Sequence, residues 1–217
     1  IPTYATLPLP GIQPCLMDDN GKEITSAEAE GRLCIKHPWP SMARTIYGNH
    51  QRYAETYFST FPGYYFTGDG ARRDTEGNYR ITGRVDDIVI VSGHNLGTAE
   101  IENAINEHTL VAESAVVGYP HEVKGNSIYA YVTLKDVGSQ SSEVSIENEI
   151  RDLVSRTLGP ICKPEKIQFT TGLPKTRSGK IMRRILRKIA EGDTSNLGDI
   201  STLLNPECVE EVIQGKV

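Results

Sequence analysis

Apolar positions along the chain change period near residue 86. Before it, short apolar stretches are cut by turn-forming residues. Pro8, Pro10, Gly11 and Pro14 break the start, and Asp18-Asp19-Asn20-Gly21 is a strong turn signal. Leu33-Cys34-Ile35 reads as a short strand. Asp74-Thr75-Glu76-Gly77-Asn78 is a turn ahead of a strand at Tyr79–Thr82, a hairpin-like arrangement. After Gly83-Arg84 the pattern mixes strands and helices. Asp87–Ser92 predicts a short buried strand, and Thr98 is placed to cap a helix from Ala99 to about His108. In that helix Ile101, Ala104, Ile105 and His108 share a face. Ala115–Val117 and Ser127–Lys135 predict strands, the second alternating Ile128, Ala130, Val132 and Leu134 with Tyr129, Tyr131 and Thr133. The clearest helix runs from about Glu143 to Leu158, with Ile146, Ile150, Leu153, Val154 and Leu158 in one stripe and Gly159-Pro160 as its stop. A strand at Lys166–Phe169, a loop and a basic helix at Ile181–Ala190 follow. The pattern therefore predicts an α+β chain with a boundary near Asp86, a β-rich piece over 1–85 and an α+β domain over 86–217.

Composition narrows the class. The chain has 217 residues, 38% of them hydrophobic and 24% charged, enough apolar sequence for a real core. No apolar run approaches the roughly 20 residues a membrane-spanning helix needs. Ile1-Pro2-Thr3 is no secretory signal, and the missing initiating Met implies that the chain begins inside a longer protein. Cys15, Cys34, Cys162 and Cys208 form no C-x-x-C pair, so reduced structural thiols in an intracellular protein are expected. Residues 174–190 carry seven Lys or Arg and no acid. With those seven positive charges taken from the net −5, the rest of the chain carries −12. Such a distribution argues against nucleic-acid affinity and suits a local phosphate site.

Three loops concentrate chemistry. Thr67-Gly68-Asp69-Gly70 sets a carboxylate between glycines, where it could accept two hydroxyl hydrogen bonds from a ribose diol. On spacing alone an Asx turn is the preferred reading. Gly83-Arg84-Val85-Asp86-Asp87 puts a guanidinium and two carboxylates at the domain junction, where a surface ion pair is the plainer reading. Gly172-Leu173-Pro174-Lys175-Thr176-Arg177-Ser178-Gly179-Lys180 is a basic glycine-containing loop that runs into a helix N-terminus, a favourable place for an anion. It is no Walker loop: six residues separate its glycines, and Ile181 follows the lysine. In the helix beyond, Ile181, Ile185 and Ile189 read as core, with Arg184, Arg187 and Lys188 on a solvated face.

In order along the chain, YYFTGDGARRD (64–74), YRITGRVDDIVIVSGHNLGTAEIE (79–102) and PKTRSGKIMRR (174–184) resemble three signature motifs of the adenylate-forming superfamily. HPWPSMARTIYGNH (37–50), VVGYPHEVKG (116–125) and AEGDTSNLGDISTL (190–203) resemble its acetyl-CoA synthetase branch. The resemblance implies a small C-terminal domain with a mainly antiparallel sheet and flanking helices, preceded by the end of a large N-terminal adenylation domain. It implies an AMP-forming acetate–CoA ligase using acetate, ATP, CoA and Mg2+, intracellular and foremost cytoplasmic (mitochondrial if eukaryotic), without a nucleic-acid or membrane partner. By similarity Lys180 is the catalytic lysine of adenylation. Asp69 and Arg84 bind the ribose, Asn95 stands at an ATP-binding position, and Asp86 is the hinge. Ser92, Gly93 and Ser155 fall at CoA positions, and Asn106, His108 and Val111 at a magnesium site made mainly of backbone oxygens. The chain departs from the pattern at Asn95 and Ser155, where relatives commonly carry arginines for the ATP phosphates and the CoA 3′-phosphate. Arg156 is no simple substitute, because a helical neighbour points about 100° away. The phosphate loop, adenine pocket and acetate pocket would precede residue 1, so the chain alone is expected to be inactive. Two other readings remain: a ligase for another short acyl chain such as propionate, or an isolated regulatory domain acetylated at Lys180 by a lysine acetyltransferase and restored by a sirtuin-type deacylase.

Overall fold

The computed structural model describes residues 1–135, 142–195 and 197–217, so Asn196 of the 190–203 motif lies outside the described residues. The chain forms two compact units, Ile1–Asp86 and Asp87–Val217.

In the first unit β1 (Pro14–Met17), β2 (Ala29–Ile35), β3 (Tyr65–Arg73) and β4 (Tyr79–Arg84) form an antiparallel sheet in chain order. Its turns follow from local chemistry. The Asp18 carboxylate accepts from the backbone N–H of Asn20 and Lys22. Asp74 does the same for Glu76 and Asn78, while Gly77 supplies the positive φ of 85°. The Tyr79 strand thus pairs as the hairpin pattern predicts. Helix α1 (His50–Phe58) was not legible in the pattern: it starts at Asn49, whose side chain accepts from Arg52 N, and buries only Tyr53. Cys15 stands opposite Cys34 across β1 and β2, and both are free, buried thiols. Desolvation pushes the Cys34 thiol up to about 12.

The second unit is built around β8 (Gly125–Leu134). β7 (Val111–His121) pairs antiparallel on one side, β5 (Ile88–Val91) and the parallel β9 (Lys166–Phe169) on the other, and β6 (His94–Gly97) closes a hairpin on β5. Side chains alternate along β8, so its two faces enter two cores. Ile128, Ala130 and Val132 meet α2 (Thr98–Asn106) and α3 (Glu143–Leu158). Tyr129 and Tyr131 stack at 4.6 Å and meet α4 (Arg183–Glu191) and α5 (Cys208–Gln214). Burial of both faces explains why apolar residues alternate with tyrosines rather than with charges. Each phenol finds an acceptor: Tyr129 donates to Gln168 Oε1 at 2.7 Å and Tyr131 to the Leu186 carbonyl at 3.0 Å.

The architecture is the expected α+β, with local differences. β5 is only half buried, since Ile88 and Ile90 are exposed while Val89 and Val91 pack inward. Thr98 is the first helical residue and not the cap; Gly97 precedes it without a side-chain hydrogen bond, and His108 lies past the helix end. α3 matches its stripe, with Ser142 accepting from Ser145 N and Gly159 ending the helix at φ 99°. α5 was not foreseen. Among the described residues no helix is long and apolar enough to cross a membrane.

Candidate functional site

In the first unit the glycine-flanked Asp69 lies within β3, not in a turn. It stands directly opposite Arg84 of β4, beside a bulge at Gly70/Ala71. The Asx-turn reading is therefore replaced: the Asp69 N–H donates to Thr67 Oγ1, and the carboxylate faces the guanidinium, with Arg84 Nη1 at 3.3 Å from its Oδ1. Arg84 also donates from Nη1 to the Thr67 carbonyl (3.2 Å) and from Nε to Asp86 Oδ1 (3.1 Å). Gly68 is required twice over. Its φ is 81°, and a Cβ there would come within 2.6 Å of Arg84 Nη2. The result is a partly buried carboxylate and a half-exposed guanidinium held side by side, a pair that can accept from and donate to a vicinal diol. Asp86 ends this unit in the 3-10 turn Val85–Asp87.

In the second unit Lys180 stands on a three-residue hairpin. Thr176 N donates to the Lys180 carbonyl at 2.9 Å, Gly179 N donates to the Thr176 carbonyl at 2.9 Å, and Gly179 has φ 82°. This is a turn closed by a glycine in the left-handed region. Thr176 Oγ1 accepts from Lys180 N at 3.1 Å and lies 3.0 Å from Ser178 Oγ. Lys180 is exposed, and α4 begins three residues on without a side-chain cap, so its free N–H groups favour an anion nearby. The hairpin base is clamped from afar. Asn205 accepts from Lys175 N and donates to the Leu173 carbonyl, and buried Leu203 bridges to Thr176. Sequence reasoning missed Asn205.

The basic segment is less solvated than its composition suggests. Lys175 pairs with Glu113 at 2.7 Å, Arg183 with Glu102 at 2.5 Å, Arg187 with Asp87 at 2.9 Å and Lys188 with Asp193 at 3.6 Å. The expected solvated face of α4 is thus largely an ion-paired one. Arg177 and Lys180 at the hairpin tip are the exposed cations of the loop.

Ser92 and Gly93 form the two-residue turn between β5 and β6, where Val91 pairs with His94. Their φ values of 49° and 83° are those of a type I′ turn, which accounts for the glycine locally. A Cβ on Gly93 would meet nothing within 4 Å. The Ser92 N–H donates to the Lys124 carbonyl at 3.0 Å. Ser92 also lines a cavity of about 420 Å³ with Lys124, Arg151, Lys163 and Glu165. Glu165 accepts from Ser127 Oγ and Lys124 Nζ, and these contacts hold its carboxyl down at about 2. Ser155 lies on α3 one turn beyond Arg151, and Arg156 turns its Nε back to the Asp152 carbonyl. Asn95 is exposed on β6 opposite Ile90.

Asn106 ends α2, His108 follows it, and Val111 opens β7. Asn106 Oδ1 accepts from Ser114 Oγ, His108 Nε2 lies 3.2 Å from Glu149, and the His108 carbonyl accepts from Val111 N. Among the described residues no group of three or more His, Cys, Asp or Glu side chains gathers to hold a metal ion.

The AMP-binding enzyme C-terminal domain family matches residues 100–180. Acetyl-coenzyme A synthetase of Alkalilimnicola ehrlichii is 57% identical over 215 residues, 99% of this chain and 33% of that protein. The chain thus spans about a third of the length of the curated relatives it matches. Among solved structures, the anthranilate CoA ligase AuaEII in complex with anthranoyl-AMP is similar over 88% of this chain and 36% of its own, at 29% identity and TM-score 0.76. ATP-bound MatB from Rhodopseudomonas palustris is similar over 87% of this chain and 36% of its own, at 27% identity and TM-score 0.73.

Proposed function

The chain belongs to the adenylate-forming superfamily, as C-terminal sequence of the acetyl-coenzyme A synthetase kind, and from that premise we propose that the whole protein is an acetate–CoA ligase in which Lys180 and the Ser92-Gly93 turn serve successive half-reactions. In the first, an acetate oxygen attacks the α-phosphorus of ATP. The new P–O bond replaces the bond to the bridging oxygen, and pyrophosphate leaves with that electron pair. Lys180 stabilises the charge gathered at the α-phosphate, and Asp69 with Arg84 hold the ribose hydroxyls. In the second, the CoA sulfur attacks the acetyl carbon, the thiol proton passes to solvent, and AMP leaves with the acyl C–O electron pair.

One observation carries this division. The Lys180 hairpin is tied through Lys175 to Glu113 near the start of β7, while the Ser92 turn is tied through Lys124 to the end of β7, where Gly125 pairs with His121. The two anchors are eight positions apart, roughly 26 Å of strand. A rigid unit with reactive loops so separated serves one centre with both by reorienting. In this reading residues 1–85 close the adenylation domain, residues 86–217 are the mobile domain, and Asp86 is the hinge. The cavity beside Ser92 suits part of CoA, since Lys124, Arg151 and Lys163 line it as donors that Ser155 is not, each also paired with a carboxylate that a phosphate would have to displace. Asn95 lies on the strand leaving the same turn and makes the weaker ATP contact that an amide can. Magnesium, held at the main-chain oxygens of Asn106, His108 and Val111, would neutralise charge locally. The enzyme so described is intracellular, as its substrates are.

Lys180 is also exposed enough to be acetylated, which would remove its charge and switch adenylation off until a sirtuin-type deacylase restored it. Mass spectrometry after incubation with an acetyltransferase checks this: an unmodified Lys180 contradicts it. Acetate against propionate as substrate decides the acyl preference. For the main reading, acetate-dependent pyrophosphate exchange by the full-length protein falls about 10²–10³-fold with Lys180→Ala. The 217-residue chain alone gives no exchange above its own Lys180→Ala control. Unchanged exchange in the full-length variant contradicts the assignment.

A further inference from the structure

Lys180 carries its charge at the tip of a hairpin whose two feet end in cations, and each of those cations is met by a carboxylate from another element. On the incoming foot Lys175 Nζ lies 2.8 Å from Glu113 Oε1 and 2.7 Å from Oε2, so both oxygens of the β7 carboxylate hold it. On the outgoing foot Arg183 donates from Nε to Glu102 Oε1 at 3.0 Å and from Nη2 to Oε2 at 2.5 Å. Glu102 is a buried α2 residue, 7% exposed, and its Oε1 also accepts from the backbone N–H of Val116 at 2.8 Å. A carboxylate fixed by a strand amide and gripped by a planar guanidinium has little freedom to turn. The two clamps therefore set the direction in which the hairpin leaves the sheet, and Lys180 lies between them.

We propose that Glu113 and Glu102 are positioning residues for Lys180, required for adenylation and dispensable for thioester formation. The inference rests on the adenylation reading of Lys180. A lysine delivered to an α-phosphate acts only if its ammonium arrives within hydrogen-bond reach, and a displacement of about 1 Å from a remote change can cost around 10²-fold. Both glutamates lie outside the basic loop and outside the Ser92 turn, Glu102 on α2 and Glu113 on β7. Ordinary structural ion pairs would affect the whole unit, whereas positioning ones affect the single step that uses Lys180.

The test uses the full-length protein and assays the half-reactions separately, pyrophosphate exchange for adenylation and supplied acetyl-AMP plus CoA for thioester formation. Glu113→Gln is the primary variant, because this pair is partly exposed, 27% and 31%, and its loss spares the core. The expected result is a drop of about 10–100-fold in the adenylation rate, with the KM for ATP and the thioester step within about twofold of the parent. Reversing the pair, Glu113→Lys with Lys175→Glu, regains most of the lost adenylation. Glu102→Gln, which keeps the acceptor for Val116 N, gives the same selective loss. If both half-reactions fall together, the clamps are merely structural and the proposal is overturned. If adenylation survives Glu113→Gln and Glu102→Gln while Lys180→Ala abolishes it, the positioning role is wrong and the function of Lys180 stands. If Lys180→Ala itself leaves adenylation intact, the underlying reading fails first.

Discussion

The two hairpins of the second unit solve opposite problems with the same turn chemistry. Each has a glycine with φ near 80° at its tip, Gly93 in one and Gly179 in the other. Around Gly179 the loop is basic, and its feet are held by ion pairs to α2 and β7. The Gly93 turn carries no charge, and two hydrogen bonds to main-chain carbonyls fix it: Ser92 N to that of Lys124, and the side-chain Nδ2 of Asn126 to that of Ile90. A loop that must bring a cation to a phosphate needs charge at the tip and opposite charge at the base. One that lines a passage for a neutral chain needs a small, well-held tip. The clamps of a loop thus disclose its task as clearly as its exposed residues do.

The largest change that would break this contrast is at the ionic base. Glu102→Ala leaves Arg183 and the Val116 N–H without their buried partner and should lower the local stability of the junction of α2, α4 and β7 by about 3–5 kcal/mol. Hydrogen exchange of the α4 and β7 amides reads that loss, and unchanged protection would mean that the base is not held by charge. Smaller effects test the glycines. Gly68→Ala forces a Cβ against Arg84 and strains a positive φ, so the Asp69–Arg84 pair should separate and, on the proposed ribose role, nucleotide affinity fall about tenfold, measured by calorimetry. Gly93→Ala costs about 1–2 kcal/mol of backbone strain and meets no neighbour in the chain. A loss of thioester formation well beyond that strain would mark a narrow passage at the turn.

The smallest effect is on pH. Glu165 titrates at about 2 against an ordinary 4.5, chiefly because Ser127 and then Lys124 donate to it. A depressed carboxyl stabilises the fold fully above its unfolded pKa, and that contribution fades as pH falls from 4.5 through about 2. With the carboxylate a third exposed, solvent screening leaves on the order of 1 kcal/mol. Glu165→Gln should remove this acid dependence from the protection of the 121–125 turn that receives Ser92 N. An equal slope in the variant would assign the dependence elsewhere.

Local signals were legible in the sequence, and distant partners were not. The Asp74–Asn78 turn, the α3 stripe and the alternation along β8 are written in neighbouring residues, and each forms as read. α1 escaped because its aromatic and polar residues make no apolar stripe and only Tyr53 is buried. The TGDG segment reads as a turn by its glycines, yet pairing with β2 and β4 makes it a strand. The basic loop drew attention through composition, but Glu113 and Glu102 lie 62 and 81 residues from their partners, beyond any spacing rule.

In the proposed function one small domain uses two separate hairpins for two steps. The most direct measurement is the pair of half-reactions in the full-length protein with Lys180→Ala and, separately, with Gly93→Val. A crossed result is expected. Lys180→Ala loses adenylation by about 10²–10³ and keeps thioester formation, while Gly93→Val keeps adenylation and loses thioester formation. If either variant slows both steps equally, the division between the hairpins is wrong.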